Sequence, residues 1–222
     1  MCGLAALLAI PAFGALASGA ANAATSAEDL DPVDVVEVSG LVDRIVADNI
    51  TTAIERAQNG DSQAVILQVN SKGAVISRDE MSELLATIAN SKIPVAIWVG
   101  PSGARAYGLP AQMLAVADVT AMAPGARIGR TGTLLSVNGE KITFGAKSAE
   151  DAIHKDTLGF LEAREQKILK FSTDDRGVPV LRNMLYALDG ITVRGAALDT
   201  VVDAVDGNGQ VTREATTVRF FK

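Results

Sequence analysis

Few residues of this sequence have the type and spacing that catalysis or metal binding requires. Cys2 is the only cysteine and His154 the only histidine, so neither a thiolate nucleophile nor a metal site is expected. His154 lies among charged residues, which predicts a solvated surface side chain. Asp174 and Asp175 form an acidic pair, but Gly177 follows closely and indicates a loop with solvated charges.

Hydroxyl groups are the remaining candidates for nucleophilic chemistry. Ser71, Ser77 and Ser102 lie in or beside loops that contain glycine, where serine is typical of turns, and we interpret them as structural residues. The phenol of Tyr107 is a poor nucleophile at neutral pH, which predicts a pocket wall. No glycine-rich phosphate-binding motif follows a predicted strand, so no nucleotide or other cofactor is predicted.

Alternating strands and helices must position any site. Continuous apolar runs predict strands that are buried on both faces, and apolar residues at three- and four-residue steps predict amphipathic helices between them. Such an order favours crossover connections and a mainly parallel sheet. The strands are predicted at residues 35–38, 64–69, 94–99 and 119–123, and the helices at residues 46–57, 81–88 and 111–117.

The pattern changes on either side of these units. Residues 70–74 (NSKGA) and 100–103 (GPSG) are predicted as loops that leave the carboxyl ends of two strands. Residues 131–144 predict a loop or short hairpin with Asn138-Gly139 at its tip. A further helix is expected over residues 158–169. From residue 190 onward the sequence is typical of β structure, with strands at residues 201–202 and 218–221 and a turn at residues 206–209.

The charge and composition of the chain indicate where the protein is located and which partners are not expected. The net charge of −6 provides no basic surface for phosphate backbones, so nucleic acid is not expected as a partner. Residues 1–24 carry no charge and end in an A-x-A pattern, which predicts a secretory leader and an extracytoplasmic location. A membrane anchor is the alternative for this segment, although Pro11 and the small residues would make a weak span.

Residues 94–129 (PVAIWVGPSGARAYGLPAQMLAVADVTAMAPGARIG) resemble the signature stretch of the nodulation-efficiency protein D family of membrane-associated serine proteases, which is related to signal peptide peptidase A. The match rests on the PSGARA and AMAPG segments and on the order of the strands and the helix before them. The resemblance covers residues 35–129. It implies a Clp-protease/crotonase-like ββα spiral over residues 33–189, followed by a small β-rich extension over residues 190–222.

The resemblance implies acyl transfer by a serine and a lysine, with backbone N–H groups of a glycine loop stabilising the oxyanion. Gly108 occupies the expected position of the nucleophilic serine. Gly73 and Ala74 occupy the oxyanion loop, where the family has two glycines. Counting without gaps from Pro124 places the family's lysine near Ala149, with Lys147 two residues before it. Further binding candidates are Arg105 and Tyr107, and the nearby candidates for a base are Lys147 and Lys141.

These residues predict a catalytically impaired member of the family that acts as a peptide-binding or assembly module. The alternative is an active Ser-Lys endopeptidase that cleaves hydrophobic segments of membrane proteins. The crotonase branch, which binds acyl-coenzyme A, is a further enzyme alternative, but no paired carboxylates support it. The resemblance also implies a homodimer, a stomatin-like membrane protein as partner, and membrane-spanning segments after this domain.

Overall fold

The computed structural model describes residues 26–170, 177–205 and 208–221, which form a mixed α/β fold. Its strands are β1 (Val33–Val42), β2 (Ala64–Ala74), β3 (Val95–Val99), β4 (Arg105–Tyr107), β5 (Val119–Met122), β6 (Arg127–Gly129), β7 (Ser136–Val137), β8 (Glu140–Lys141), β9 (Thr157–Leu158), β10 (Thr192–Val193), β11 (Ala196–Ala197), β12 (Val201–Val205), β13 (Val211–Ala215) and β14 (Val218–Phe221). Its α-helices are α1 (Arg44–Asn59), α2 (Arg78–Ala89), α3 (Met113–Val116), α4 (Lys147–Lys155), α5 (Phe160–Glu165) and α6 (Leu181–Leu188), and 3-10 turns span Ala27–Asp29 and Leu109–Gln112.

The centre of the fold is the predicted parallel sheet. β1, β2, β3 and β5 are neighbours in that order, and all three pairings are parallel. All five residues of β3 are buried, as expected for a strand covered on both faces. The helix α1 turns Ile50, Ala53, Ile54 and Ala57 into the core, which confirms its predicted apolar face.

The strand β2 pairs with two different strands along its length, so the main sheet branches there. Its first half pairs with β3, from Val65 to Val69, whereas Ser71 pairs with Ala106 of β4. β4 continues to β6 in parallel, and β6 pairs with β9 in antiparallel fashion. The loop predicted at residues 70–74 is therefore wrong, because β2 continues to Ala74. Likewise β1 passes Gly40, where a register shift accommodates the glycine as a bulge.

Beyond residue 129, the structure confirms some of the predicted elements and differs from others. The hairpin β7–β8 has Asn138 and Gly139 at its tip with φ of 53° and 83°, which confirms the predicted turn. The sequence did not reveal α4, because only Ala149 and Ile153 of this helix are buried. The helix predicted over residues 158–169 is shorter than expected, since Leu158 pairs with β6 instead.

The β structure predicted after residue 190 is confirmed, but its last strand joins the main sheet. β12 and β13 form an antiparallel hairpin, and β14 lies parallel to β1 at the sheet edge. Residues 206–207 of the predicted turn and the predicted leader at residues 1–24 lie outside the described residues. In the described ranges, no helix combines the length and the apolar character needed to cross a bilayer.

A buried ion pair fixes β14 to β1. Arg219 of β14 donates from Nε to Asp34 Oδ1 of β1 at 2.7 Å, and Asp34 is fully buried. The same guanidinium donates to Asp61 Oδ1 at 2.7 Å and to Ser62 Oγ. The hydrogen bond to Asp34 raises the pKa of Arg219 above its ordinary value, so the guanidinium is charged throughout the normal pH range.

Candidate active-site cleft

Gly108 lies at a sharp turn from strand to helix. It follows β4 directly, and the turn Leu109–Gln112 begins after it and continues as α3. Its φ of 67° and ψ of −135° lie in a region that glycine adopts more easily than other residues. The Gly108 N–H donates to Gly129 O at 3.0 Å, and its carbonyl accepts from Ala111 N at 3.2 Å. A side chain at such a turn would be presented at the start of the helix.

The space around Gly108 does not demand a glycine. A Cβ built there would have Gly73 Cα, at 3.9 Å, as its nearest neighbour outside the adjoining residues, which is ordinary van der Waals contact. A serine would thus fit, at a conformational cost of about 1–3 kcal/mol for this sparsely populated backbone region. The structure also brings together Gly108 and Gly73, two of the residues that the sequence predicts for the site.

The strand end that carries Gly73 has internal hydrogen bonds. Ser71 is fully buried, and its Oγ donates to Gly73 O at 2.8 Å and accepts a longer bond of 3.4 Å from Gly73 N. Ala74 pairs with Val42 of β1 and is not among the non-glycine residues with positive φ. The alanine at position 74, where the resembled family has its second glycine, therefore causes no backbone strain at this end of β2.

The predicted lysines are not held in the core. Lys147 is the first residue of α4 and is exposed, and Lys141 in β8 is exposed as well. Ala149, two residues after Lys147, is fully buried. The helix α4 therefore turns an alanine inward at the position that the family resemblance assigns to the lysine.

One lysine of the described chain has a perturbed pKa, but it lies at the carboxyl end of α3, which is the end distant from Gly108. Burial lowers the pKa of the Lys170 ammonium, with the charge of Asp118 opposing the shift. Its Nζ donates to Ala115 O at 2.9 Å and to Ala117 O, which are carbonyls at the carboxyl end of α3. A helix of this length separates that end from Gly108 by roughly 10 Å. We therefore interpret Lys170 as a helix cap and not as a base for the cleft.

Arg105 and Tyr107 flank the cleft on β4. The backbone N–H of Arg105 donates to Asn70 Oδ1 at 3.1 Å, and its guanidinium donates to Gly103 O. Tyr107 is half-buried, and the guanidinium carbon of Arg130 lies 5.3 Å from the centre of its ring.

The other candidate residues have structural partners. Ser77 caps α2, because its Oγ accepts from Glu80 N at 3.1 Å, and Ser102 is exposed in a turn. His154 is exposed in α4, and its Nδ1 lies 2.8 Å from Gly132 O. No group of His, Cys, Asp and Glu side chains suited to a metal ion occurs in the described part of the chain.

Sequence reasoning missed one buried polar residue beside the cleft. Gln112 is fully buried in the turn after Gly108, and its Nε2 donates to Thr131 O at 2.9 Å and to Thr133 O at 3.2 Å. Its Oε1 accepts from Leu135 N at 2.9 Å. The amide therefore fixes the segment after β6 against the helix that starts at Gly108. A lone glutamine in the apolar run LPAQMLAV was the available signal.

Replacing Gln112 with leucine should lower the free energy of unfolding by about 2–4 kcal/mol, because the buried Thr131 carbonyl and the buried Leu135 N–H lose their partners. The Thr133 carbonyl keeps its hydrogen bond from the Arg78 guanidinium at 3.0 Å. Urea unfolding followed by the fluorescence of Trp98, the single tryptophan, measures the change. The matched control is Gln58→Leu, since the half-buried Gln58 accepts one bond from Lys92 N at 2.7 Å. Equal losses for the two variants would contradict the proposed role of Gln112.

The described residues form a curled, mainly parallel sheet with helices, which is a fold of the Clp-protease/crotonase type, and Gly108 lies at a turn from strand to helix within it. The chain is homologous to the membrane-bound protease PH1510 of Pyrococcus horikoshii, with 31% identity over 108 residues. This match covers 48% of the chain and 24% of that protein, so it spans about a quarter of the relative. The homology confirms the resemblance seen in the sequence. No protein-family profile matches the chain.

Solved structures show the same fold. A variant of the 1510-N membrane-bound stomatin-specific protease with serine replaced by alanine superposes with a TM-score of 0.64 and 20% identity, covering 87% of this chain and 98% of that one. A lysine-to-alanine variant in complex with a substrate peptide also has a TM-score of 0.64 and 20% identity, covering 87% and 93%. A protein described as an enoyl-CoA hydratase from Mycobacterium avium paratuberculosis has a TM-score of 0.50 and 16% identity, covering 65% and 66%.

Proposed function

We propose that this chain is a protease-like domain that binds peptides at the cleft between Gly108 and Gly73 and is impaired in cleaving them. The observation that carries the proposal is Gly108 itself. It occupies the turn where a nucleophile would be presented, and it has no side chain. Loss of the nucleophile in a serine hydrolase lowers the rate by several orders of magnitude, on the order of 10⁶-fold in the best-studied case.

The spacing of two positions supports this proposal. The substituted serine and lysine in the two 1510-N variants are separated by the same number of residues as Gly108 and Ala149 in this chain. Neither Gly108 nor Ala149 has a hydroxyl or an amine, so both parts of a serine–lysine pair are missing at those positions. The exposed Lys147 and Lys141 are the remaining candidates for a base that the sequence predicted in that region.

The names of the relatives suggest the kind of partner. One solved structure of 1510-N contains a substrate peptide, and the protease is described as specific for stomatin. We extend this to a hydrophobic peptide segment of a stomatin-like membrane protein as ligand, bound by a homodimer at the extracytoplasmic face of a membrane. The predicted leader at residues 1–24 supports the proposed location.

The purified protein should bind a hydrophobic peptide without cleaving it. A peptide with a fluorophore and a quencher reports both steps, since polarisation follows binding and loss of quenching follows cleavage. Wild type and Lys147→Ala should both bind with the same affinity and give no turnover above the buffer rate. Turnover by wild type that disappears in Lys147→Ala would overturn the proposed impairment and favour the active endopeptidase.

Two variants of Gly108 test whether the peptide binds in the cleft. Gly108→Ser and Gly108→Phe carry similar backbone strain, about 1–3 kcal/mol, so they differ mainly in the volume of the side chain. Serine should leave the dissociation constant within about twofold of wild type, whereas phenylalanine should weaken binding by about tenfold or more, as expected for a blocked pocket. Equal affinities for the two variants would show that the peptide binds elsewhere.

A further inference from the structure

Two arginines lie side by side on the outer face of the sheet branch formed by β4, β6 and β9. Arg105 of β4 and Arg127 of β6 are register partners on adjacent parallel strands. The next residues, Ala106 and Ile128, are also partners, and both are buried. Since successive side chains of a strand point to opposite faces, Arg105 and Arg127 share the face turned away from the core. Tyr107 lies on the same face, two residues after Arg105.

Arg130 adds a third cation to this face. It follows β6, and its guanidinium carbon lies 5.3 Å from the centre of the Tyr107 ring, within the range of a cation–π contact. Tyr107 is the residue immediately before Gly108, and the carbonyl of Gly129, next to Arg130, accepts the Gly108 N–H at 3.0 Å. We call Arg105, Arg127 and Arg130 the cationic face. It directly borders the cleft.

No carboxylate of the described residues neutralises the cationic face. Arg105 donates to Gly103 O, and Arg127 donates to Thr157 Oγ1 at 2.9 Å and Thr157 O at 2.7 Å, all neutral groups. Asp156 contributes only its backbone carbonyl, which accepts from Arg130 N at 2.9 Å. By contrast, four other arginines each have a carboxylate partner: Arg44, Arg194, Arg213 and Arg219.

This arrangement is unusual for a chain of net charge −6, whose overall field repels anions. Placing two arginines opposite each other on adjacent strands is unfavourable without a counter-charge. A guanidinium has five N–H donors, so each arginine of the face keeps donors beyond those bound to the backbone and to Thr157. A carboxylate is the group that such a planar set of donors recognises best.

We propose that the cationic face binds acidic side chains of the peptide that occupies the cleft. The inference rests on the proposed function, and it adds a substrate preference: a hydrophobic segment flanked by Asp or Glu. The hydrophobic part contacts the cleft at Gly108 and Gly73, and the acidic flank contacts Arg105, Arg127 and Arg130. The cationic face thus sets the direction in which the peptide lies.

Two amidated peptides of valine and leucine, which differ only in one flank of glutamates or glutamines, test the preference by fluorescence polarisation. Wild type should bind the glutamate peptide about tenfold more tightly at low salt, as expected for two or three partly exposed ion pairs. The advantage should fall to about twofold in 0.5 M NaCl, because salt screens exposed charges. Equal affinities at low salt would refute the acidic preference and leave peptide binding intact, whereas no binding of either peptide would refute the proposed function.

Arginine variants test whether the cationic face causes the preference for the glutamate peptide. Arg105→Gln/Arg130→Gln should abolish the preference for glutamate, so that the two peptides bind with equal affinity, and a far-UV circular dichroism spectrum like that of wild type shows that the variant is folded. The matched control is Arg182→Gln, because Arg182 is an exposed arginine of α6. Arg127→Lys retains the charge and should keep most of the preference. Sedimentation with phosphatidylserine vesicles gives the competing outcome: recruitment that needs Arg105 and Arg130, with no preference between the peptides, would assign the face to a membrane surface and overturn the proposal.

Discussion

Replacing Gly129 with alanine is expected to lower the free energy of unfolding by about 3–5 kcal/mol, through overpacking and a strained backbone. Gly129 has a φ of 138°, and a Cβ built on it would lie 2.2 Å from Asp156 O and 2.9 Å from Thr157 Cα. These are backbone atoms at the pairing of β6 with β9, so they cannot move without separating the two strands. Urea unfolding followed by Trp98 fluorescence measures the loss.

The same variant should also weaken peptide binding, because the carbonyl of Gly129 accepts the N–H of Gly108 and holds the turn of the cleft. Gly132→Ala is the matched control. Gly132 also has a positive φ, 61°, but nothing lies within 4 Å of a Cβ built there. It should therefore lose about 1 kcal/mol, the conformational cost alone. Comparable losses at the two positions would refute the close contact between β6 and β9.

Replacing Arg219 with methionine should lower the free energy of unfolding by about 3–5 kcal/mol, because it leaves a buried carboxylate without its counter-charge. Asp34 is fully buried, and its Oδ2 has no hydrogen-bond partner in the described residues even when Arg219 is present. Among the residues that the structure describes, Arg219 supplies the hydrogen bond to Oδ1. The variant is expected to unfold at a lower urea concentration and to release β14 from β1.

Two further variants separate the buried pair from its exposed neighbour. Asp61→Asn removes the other carboxylate partner of Arg219. The side chain of Asp61 is 65% exposed, so this variant should be much less destabilised than Arg219→Met. Adding Asp34→Asn to Arg219→Met removes the uncompensated charge and should restore part of the stability. If the double variant is no more stable than Arg219→Met, the loss arises from packing of the β14 side chain and not from the charge of Asp34.

The sequence was sufficient for the features that local patterns encode. Continuous apolar runs such as residues 94–99 predict buried parallel strands, and β3 has this character. The match at residues 101–106 and 121–125 placed a helix start at Gly108, where the structure has it. The first prediction depends on neighbours within a few residues. The second follows from the family resemblance and not from the local pattern.

The remaining features depend on pairings between distant residues. The polar segment at residues 70–74 has the composition of a loop, but β1 and β4 pair with it and make it a strand. Gln112 is a polar residue whose role is set by carbonyls that lie about twenty residues later in the chain. The position of β14 beside β1 follows from a contact between the two ends of the described chain, which no local pattern reports.

That contact has a consequence for how the protein is made. β1 is synthesised before β14, and residues 33–36 meet their outer neighbour only when residues 218–221 have left the ribosome. Until then the backbone donors and acceptors on that edge are open to pairing with other nascent chains. Closure over so large a sequence separation is a slow, late step of folding. Aggregation during synthesis is therefore expected to start at β1, and a chaperone that covers this edge should suppress it.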